Sequence, residues 1–131
     1  MDLIGYSYTA TDVLSVAKIS HTDLQNWLRY GLLDRLGVPR PAEGWRRYSL
    51  LDVLTIAAEA QLAFLGIAPA ARNDMKVAET IAARCMALLC RLPLDPVLRF
   101  TFPASMGVEI TVNCQKLADD VLAALPTKEK T

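Results

Sequence analysis

At 131 residues, the chain is long enough for one compact domain, or for a small head with an appended dimerisation segment. Apolar residues make up 53 % of it and charged residues 21 %, a surplus of apolar surface that favours a partner, most simply a second copy of the chain. No run approaches the roughly 18 apolar residues of a membrane helix, and the first residues do not resemble a signal peptide. We therefore expect a cytoplasmic protein that does not enter a membrane.

Two short helices are predicted near the N-terminus. Thr9 precedes Asp12 by three residues, and Ser20 precedes Asp23 by the same spacing, which is a pattern that caps helix starts. Both helices fall between residues 9 and 30 and leave room for only a brief connection. Two helices joined in this way indicate a helix-turn-helix.

A loop, an extended segment and a third helix follow. Residues 35–44 contain two prolines and two glycines and are predicted to form the loop, while residues 45–48 are predicted to be a strand. Ser49 caps a third helix that runs to Gly66. Apolar residues lie on two sides of this helix, so it must pack on more than one face.

The C-terminal half is predicted to contain a helix, a β-hairpin and a last helix. Pro69 suits the first turn of the fourth helix, which reaches about Leu92. Apolar residues then alternate between 97 and 112 around a turn near Met106, and Asn113 caps the final helix. The predicted fold class is therefore mainly α with small β elements.

The second predicted helix carries side chains that read DNA bases. At about 100° per residue, Leu24, Trp27 and Leu28 fall on one side of it. The opposite side holds amide, hydroxyl and guanidinium groups, which hydrogen-bond to adenine, guanine and phosphate. We call this side the reading face, and it consists of Thr22, Gln25, Asn26 and Arg29. An ordinary polar helix face is the alternative interpretation. His21 is placed toward the edge of the core side and is interpreted as structural.

A local excess of positive charge accompanies the reading face. From Lys18 to Arg47 there are six basic residues and three acidic ones, although the formal net charge of the whole chain is zero. In the extended segment, Arg46 and Arg47 point to opposite faces, so that one can contact a phosphate while the stem of the other covers the domain. Two solvated arginines beside Tyr48 are the alternative.

The order of these pieces resembles the DNA-binding head of the MerR and excisionase families. The fragments are Arg29-Tyr-Gly-Leu-Leu33 and Gly44-Trp-Arg-Arg-Tyr-Ser-Leu-Leu-Asp52, and the resemblance runs from about residue 6 to residue 68. It implies a winged helix-turn-helix in residues 1–68 and favours Arg46 as the phosphate contact. Where that family has an Arg-Tyr-Tyr-Glu-Arg run, residues 25–29 read Gln-Asn-Trp-Leu-Arg, so only the final arginine is kept.

The resemblance implies a sequence-specific transcriptional regulator that binds double-stranded DNA as a homodimer. The second helix enters the major groove and the wing holds the flanking backbone. The predicted DNA contacts are Thr22, Gln25, Asn26, Arg29, Arg46 and Arg47. RNA polymerase or a phage recombination or packaging protein is a further expected partner. Two alternatives stay open: a phage excisionase or small terminase subunit, and a winged-helix protein-interaction module without DNA affinity.

The segment after residue 68 has two interpretations. Residues 69–126 offer more apolar surface than a small head needs, which predicts that they form the dimer, and residues 127–131 are expected to be a frayed tail. The alternative is that these elements fold back on the head and complete a monomeric core.

The cysteines indicate neither a metal nor another cofactor. Cys85, Cys90 and Cys114 are an odd number without the spacing of a metal motif, which predicts reduced, buried thiols in a reducing compartment, with metal binding or redox sensing as the alternative. No nucleophile with its base, phosphate-binding glycine loop or pair of carboxylates in an obvious cleft is recognisable. We therefore do not expect an enzyme.

Overall fold

The structure is a computed structural model, and it describes residues 6–29, 47–66, 77–101 and 109–126. Within these ranges the elements are, in chain order, β1 (Tyr6–Tyr8), α1 (Ala10–Ala17), α2 (His21–Arg29), β2 (Tyr48–Ser49), α3 (Leu50–Phe64), α4 (Val77–Leu89), β3 (Val97–Thr101), β4 (Glu109–Asn113) and α5 (Cys114–Ala124). The predicted fold class, mainly α with small β elements, is confirmed. None of the helices in these ranges is long and apolar enough to cross a membrane.

Hydrogen bonds confirm the predicted helix starts. At α1, the N–H of Thr9 donates to Asp12 Oδ2 at 3.0 Å, and the N–H of Asp12 donates to Thr9 Oγ1 at 3.2 Å. The same reciprocal capping box joins Ser49 and Asp52 at the start of α3, where both residues are buried. At α5, Asn113 Oδ1 accepts from the N–H of residue 116 at 3.0 Å. Short polar side chains therefore determine where these helices begin.

The third helix is the centre of the molecule. Of the 15 residues of α3, 11 are buried. The helix packs against α1, α4 and α5, and also against β1 and β2. The prediction that this helix packs on more than one face is confirmed.

One apolar core spans both halves of the chain. It includes Val13 and Leu24 from the first two helices, and Ile81 and Val121 from α4 and α5. The core continues across residue 68, the predicted end of the head, because α4 and α5 both pack on α3. The apolar stripe of α4 is therefore used inside the chain, as the monomeric alternative expects.

A short two-stranded sheet packs against α3. β1 pairs with β2 in antiparallel fashion, with Tyr8 opposite Tyr48. The sequence pattern does not predict β1, and the extended segment expected at 45–48 is described from residue 47 onward, with its strand at Tyr48–Ser49. Because residues 30–46 lie outside the described ranges, the winged helix-turn-helix stays a prediction.

The hairpin predicted between residues 97 and 112 is confirmed. β3 and β4 pair antiparallel, with Leu98 opposite Val112 and Phe100 opposite Ile110. These four half-buried side chains share one face of the hairpin and pack against the core. The predicted turn near Met106 lies outside the described residues.

The fourth helix ends at Leu89, earlier than predicted. Arg91 follows it with a left-handed φ of 62°. The N–H of Arg91 donates to the carbonyl of Leu88, and the N–H of Leu92 donates to the carbonyl of Ala87. These are the two bonds of a Schellman motif. The helix ends three residues before the predicted position because an arginine, rather than a glycine, occupies the left-handed position, so only Pro93 marks the stop in the sequence.

We expect Arg91→Gly to stabilise the protein. A left-handed φ costs a non-glycine residue about 1–2 kcal/mol, and the greater freedom of glycine in the unfolded chain offsets about 0.5–1 kcal/mol of the gain. The free energy of unfolding, measured by urea denaturation, should therefore rise by about 0.5–1 kcal/mol.

The matched control is Gly66, which follows α3 with a φ of 81°. An added Cβ there would meet no atom within 4 Å, so only the backbone opposes a substitution. Gly66→Ala should lower the free energy of unfolding by about 1 kcal/mol. If Arg91→Gly and Gly66→Ala change stability in the same direction, the left-handed strain assigned to Arg91 is wrong.

Candidate nucleic-acid interface

A tight connection joins the first two helices. α1 ends where Lys18 adopts a left-handed φ of 57° and its N–H donates to the carbonyl of Leu14 at 2.9 Å. Ser20 Oγ then accepts from the N–H of Asp23 at 3.0 Å and begins α2. The predicted turn and the predicted cap are both confirmed.

One side of α2 holds the helix on the molecule. Leu24 is buried, and the half-buried Trp27 and Leu28 pack against the core. The prediction of this core side from helical spacing is confirmed. Since these three side chains determine how α2 is rotated, they also determine which of its residues face the solvent.

The reading face is exposed, except at one position. Thr22, Gln25 and Arg29 are exposed, whereas Asn26 is half-buried at the border with the core side. Among the described residues, the guanidinium of Arg29 has no ion-pair partner. Three of the four predicted residues are thus available together on one helix.

Gln25 contacts a neighbour on the same helix. Its Nε2 lies 2.9 Å from His21 Nε2, and the amide donates when the imidazole is neutral at that nitrogen. His21 is exposed, although helical spacing places it toward the edge of the core side. The signal that identifies the pair in the sequence is its spacing of four residues, which places both side chains on one helix face. The contact joins two exposed side chains on one face of α2.

The two predicted arginines of the wing have different outcomes. Arg47 is exposed directly before β2, and the neighbouring Tyr48 is buried. Arg46 lies outside the described residues, so its phosphate contact stays a prediction. Arg47 is therefore not on the helix that carries the reading face. It precedes β2, which is followed directly by α3.

The cysteines are free thiols with two kinds of environment. Cys85 and Cys114 are buried, and Cys85 Sγ donates to the carbonyl of Cys114 at 3.3 Å. Hydrogen bonding with Cys114 and burial raise the pKa of the Cys85 thiol, so that it stays protonated. Cys90 is exposed, so the prediction of a buried thiol is wrong for this residue. Across the described ranges, no three histidine, cysteine or acidic side chains gather into a metal site.

Comparisons with known proteins found no relative of this chain. None of the protein-family models matches the sequence, and neither a curated protein nor a solved structure matches the chain. The likeness to MerR and excisionase heads therefore rests on the residues of the chain alone.

Proposed function

We propose that the protein is a cytoplasmic regulator of transcription that binds double-stranded DNA in a sequence-specific way. The observation that supports this most is the division of α2 into a core side and an exposed reading face. Arginine, glutamine and threonine are side chains that distinguish base edges in the major groove. The acidic residue of the helix, Asp23, lies in its first turn, where its N–H is bonded to the cap.

In the proposed complex, α2 lies in the major groove. Arg29 donates to the acceptor pair of guanine, and Gln25 pairs with adenine. Asn26 contributes less because it is half-buried. Arg46 and Arg47 contact the phosphate backbone beside the groove, which positions the helix without selecting a sequence.

The proposed DNA-binding species is a homodimer. A single small head has a non-specific affinity of only about 10⁻⁴–10⁻⁶ M, and a two-fold axis adds a second half-site. Large apolar side chains at the end of α3 support self-association, since Phe64 is 87 % exposed and Leu65 is 62 % exposed. RNA polymerase or a phage recombination or packaging protein is proposed as a further partner, and no enzymatic activity is proposed.

Two other functions compete with this proposal. A phage excisionase or small terminase subunit would use the same reading face to bend or mark DNA. A protein-interaction module without DNA affinity is favoured by the formal net charge of zero, which gives DNA no overall attraction to the chain. DNA binding separates this second alternative from the rest.

Selection of bound fragments from a genomic DNA pool should enrich a palindromic site. On that site, Arg29→Ala should relax the preference at one base pair per half-site, with a cost of about 1–3 kcal/mol. Arg47→Ala should weaken binding to all sequences alike and reduce the slope of the salt dependence by about one. The two variants remove the same charge, so a difference between them reports what each guanidinium contacts.

Arg91→Gln is the control for loss of positive charge, because Arg91 is exposed on the turn after α4, outside both proposed contact regions. Its affinity should match that of the unmodified chain. If no DNA fragment is enriched, DNA binding is wrong and the interaction module remains. If Arg29→Ala and Arg47→Ala behave identically, the roles assigned to the reading face and the wing are wrong.

A further inference from the structure

A cleft lies between α4 and the beginning of the hairpin, and it is separate from the reading face. It is open to solvent, and its volume is about 580 Å³. It is lined by Arg84, Asp95, Val97, Leu98 and Arg99. We call it the Arg84–Arg99 cleft.

Two arginines line this cleft, one anchored by a hydrogen bond and one exposed. Arg84 is half-buried, and its Nη1 donates to the backbone carbonyl of Asp95, which holds the guanidinium in place. Arg99 is exposed on β3, opposite Thr111 of β4. Neither arginine forms an ion pair with a carboxylate in the described part of the chain. An arginine anchored by a neutral carbonyl retains its remaining N–H groups for an anion.

Asp95 contributes the opposing charge. Its Oδ1 accepts from the N–H of Val97 at 2.9 Å, so this carboxylate also fastens the turn that leads into β3. Two positive charges therefore face one negative charge in the cleft. The same turn is tied to α5, because the N–H of Cys114 donates to the carbonyl of Pro96 at 2.7 Å. The lining groups are thus positioned by elements that belong to the core.

We propose that the Arg84–Arg99 cleft binds a phosphate group. The planar guanidinium matches the oxygens of phosphate with parallel hydrogen bonds, and one arginine is already positioned. Val97 and Leu98 supply apolar surface for a neighbouring part of the ligand. The phosphate belongs to a small phosphorylated molecule or to a nucleic-acid backbone. This site does not depend on the reading face or on the proposed DNA binding.

The test titrates the full chain with inorganic phosphate at constant ionic strength and follows the backbone amides by NMR. Shifts should concentrate at residues 97–99 and around Arg84. Arg84→Gln and Arg99→Gln should each weaken binding about tenfold or more, as expected for loss of a charge-assisted hydrogen bond. Asp95→Asn keeps the oxygen that accepts from Val97 and removes the negative charge, so it should tighten binding.

Arg91→Gln again serves as the control and should leave phosphate binding unchanged. The proposal is overturned if phosphate causes no more shift than chloride, or if Arg91→Gln weakens binding as much as the cleft variants do. It is equally overturned if Asp95→Asn weakens binding in a folded protein. Since Arg99 is exposed, its variant keeps the test valid even if Arg84→Gln impairs folding.

Binding of duplex DNA by the same variants distinguishes the two sources of phosphate. Unchanged DNA affinity with lost phosphate binding assigns the site to a small phosphorylated molecule. A fall in DNA affinity for both Arg84→Gln and Arg99→Gln assigns it to the DNA backbone. Either result supports a phosphate site, and failure of DNA binding by α2 would not alter the phosphate titration.

Discussion

Replacing Leu54 by alanine is expected to lower the free energy of unfolding by about 3–5 kcal/mol, a large part of the roughly 5–15 kcal/mol that stabilises a domain. Leu54 has no exposed surface and lies in the middle of α3. Helices pack around α3 on several sides, so the space left by the side chain cannot collapse easily. Urea denaturation of the two proteins measures the difference directly.

Gln61→Ala is the control for this prediction, because Gln61 belongs to the same helix and is exposed. Its effect on the free energy of unfolding should stay within about 0.5 kcal/mol, as for surface substitutions in general. An equal loss in both variants would contradict the central position of Leu54. A loss for Phe64→Ala that grows with protein concentration would indicate that Phe64 is covered in a dimer.

A fragment of residues 1–68 is expected not to fold. It would lack α4 and α5, which cover α3 and contribute Ile81 and Val121 to the core. Each large apolar side chain that loses such cover costs about 1.5–3 kcal/mol, so the sum exceeds the stability of a typical domain. Far-UV circular dichroism should show little helix, and thermal denaturation should show no cooperative transition.

The full chain, prepared in the same way, is the control and should unfold cooperatively. A chain without residues 93–131 is likewise expected not to fold, because it loses α5 and the hairpin. A fragment of residues 1–68 that unfolds cooperatively and selects the same DNA as the full chain would contradict this prediction. It would show that the head is independent, as the resemblance to MerR and excisionase heads implies.

Local chemistry explains most of what the sequence predicts correctly. The caps at Thr9, Ser20, Ser49 and Asn113 depend on residues three positions apart, and the hairpin depends on an alternation within each strand. β1 escapes prediction because a strand of three residues has too short a pattern, and its partner lies far along the chain. The packing of α4 on α3 depends on tertiary contacts, which helical spacing in the sequence does not determine.

The same limit applies to the candidate sites. Helical periodicity identifies Thr22, Gln25 and Arg29 as exposed, because all three lie on the side of α2 opposite its core side. The Arg84–Arg99 cleft has no such signal. Arg84 meets the carbonyl of Asp95 only because the middle of α4 and the turn before β3 come together in the folded chain.

The sulfur atoms of this protein can report on its folded state. Cys90 is exposed, whereas Cys85 and Cys114 lie inside the contact between α4 and α5. An alkylating reagent needs an accessible thiolate, and burial keeps the reagent from Cys85 and Cys114. A maleimide dye therefore attaches to Cys90 alone while α4 and α5 remain packed. The sulfurs of Cys85 and Cys114 become reactive only when these two helices separate. A native preparation can thus carry a single fluorophore beside the turn that ends α4, without any engineered cysteine.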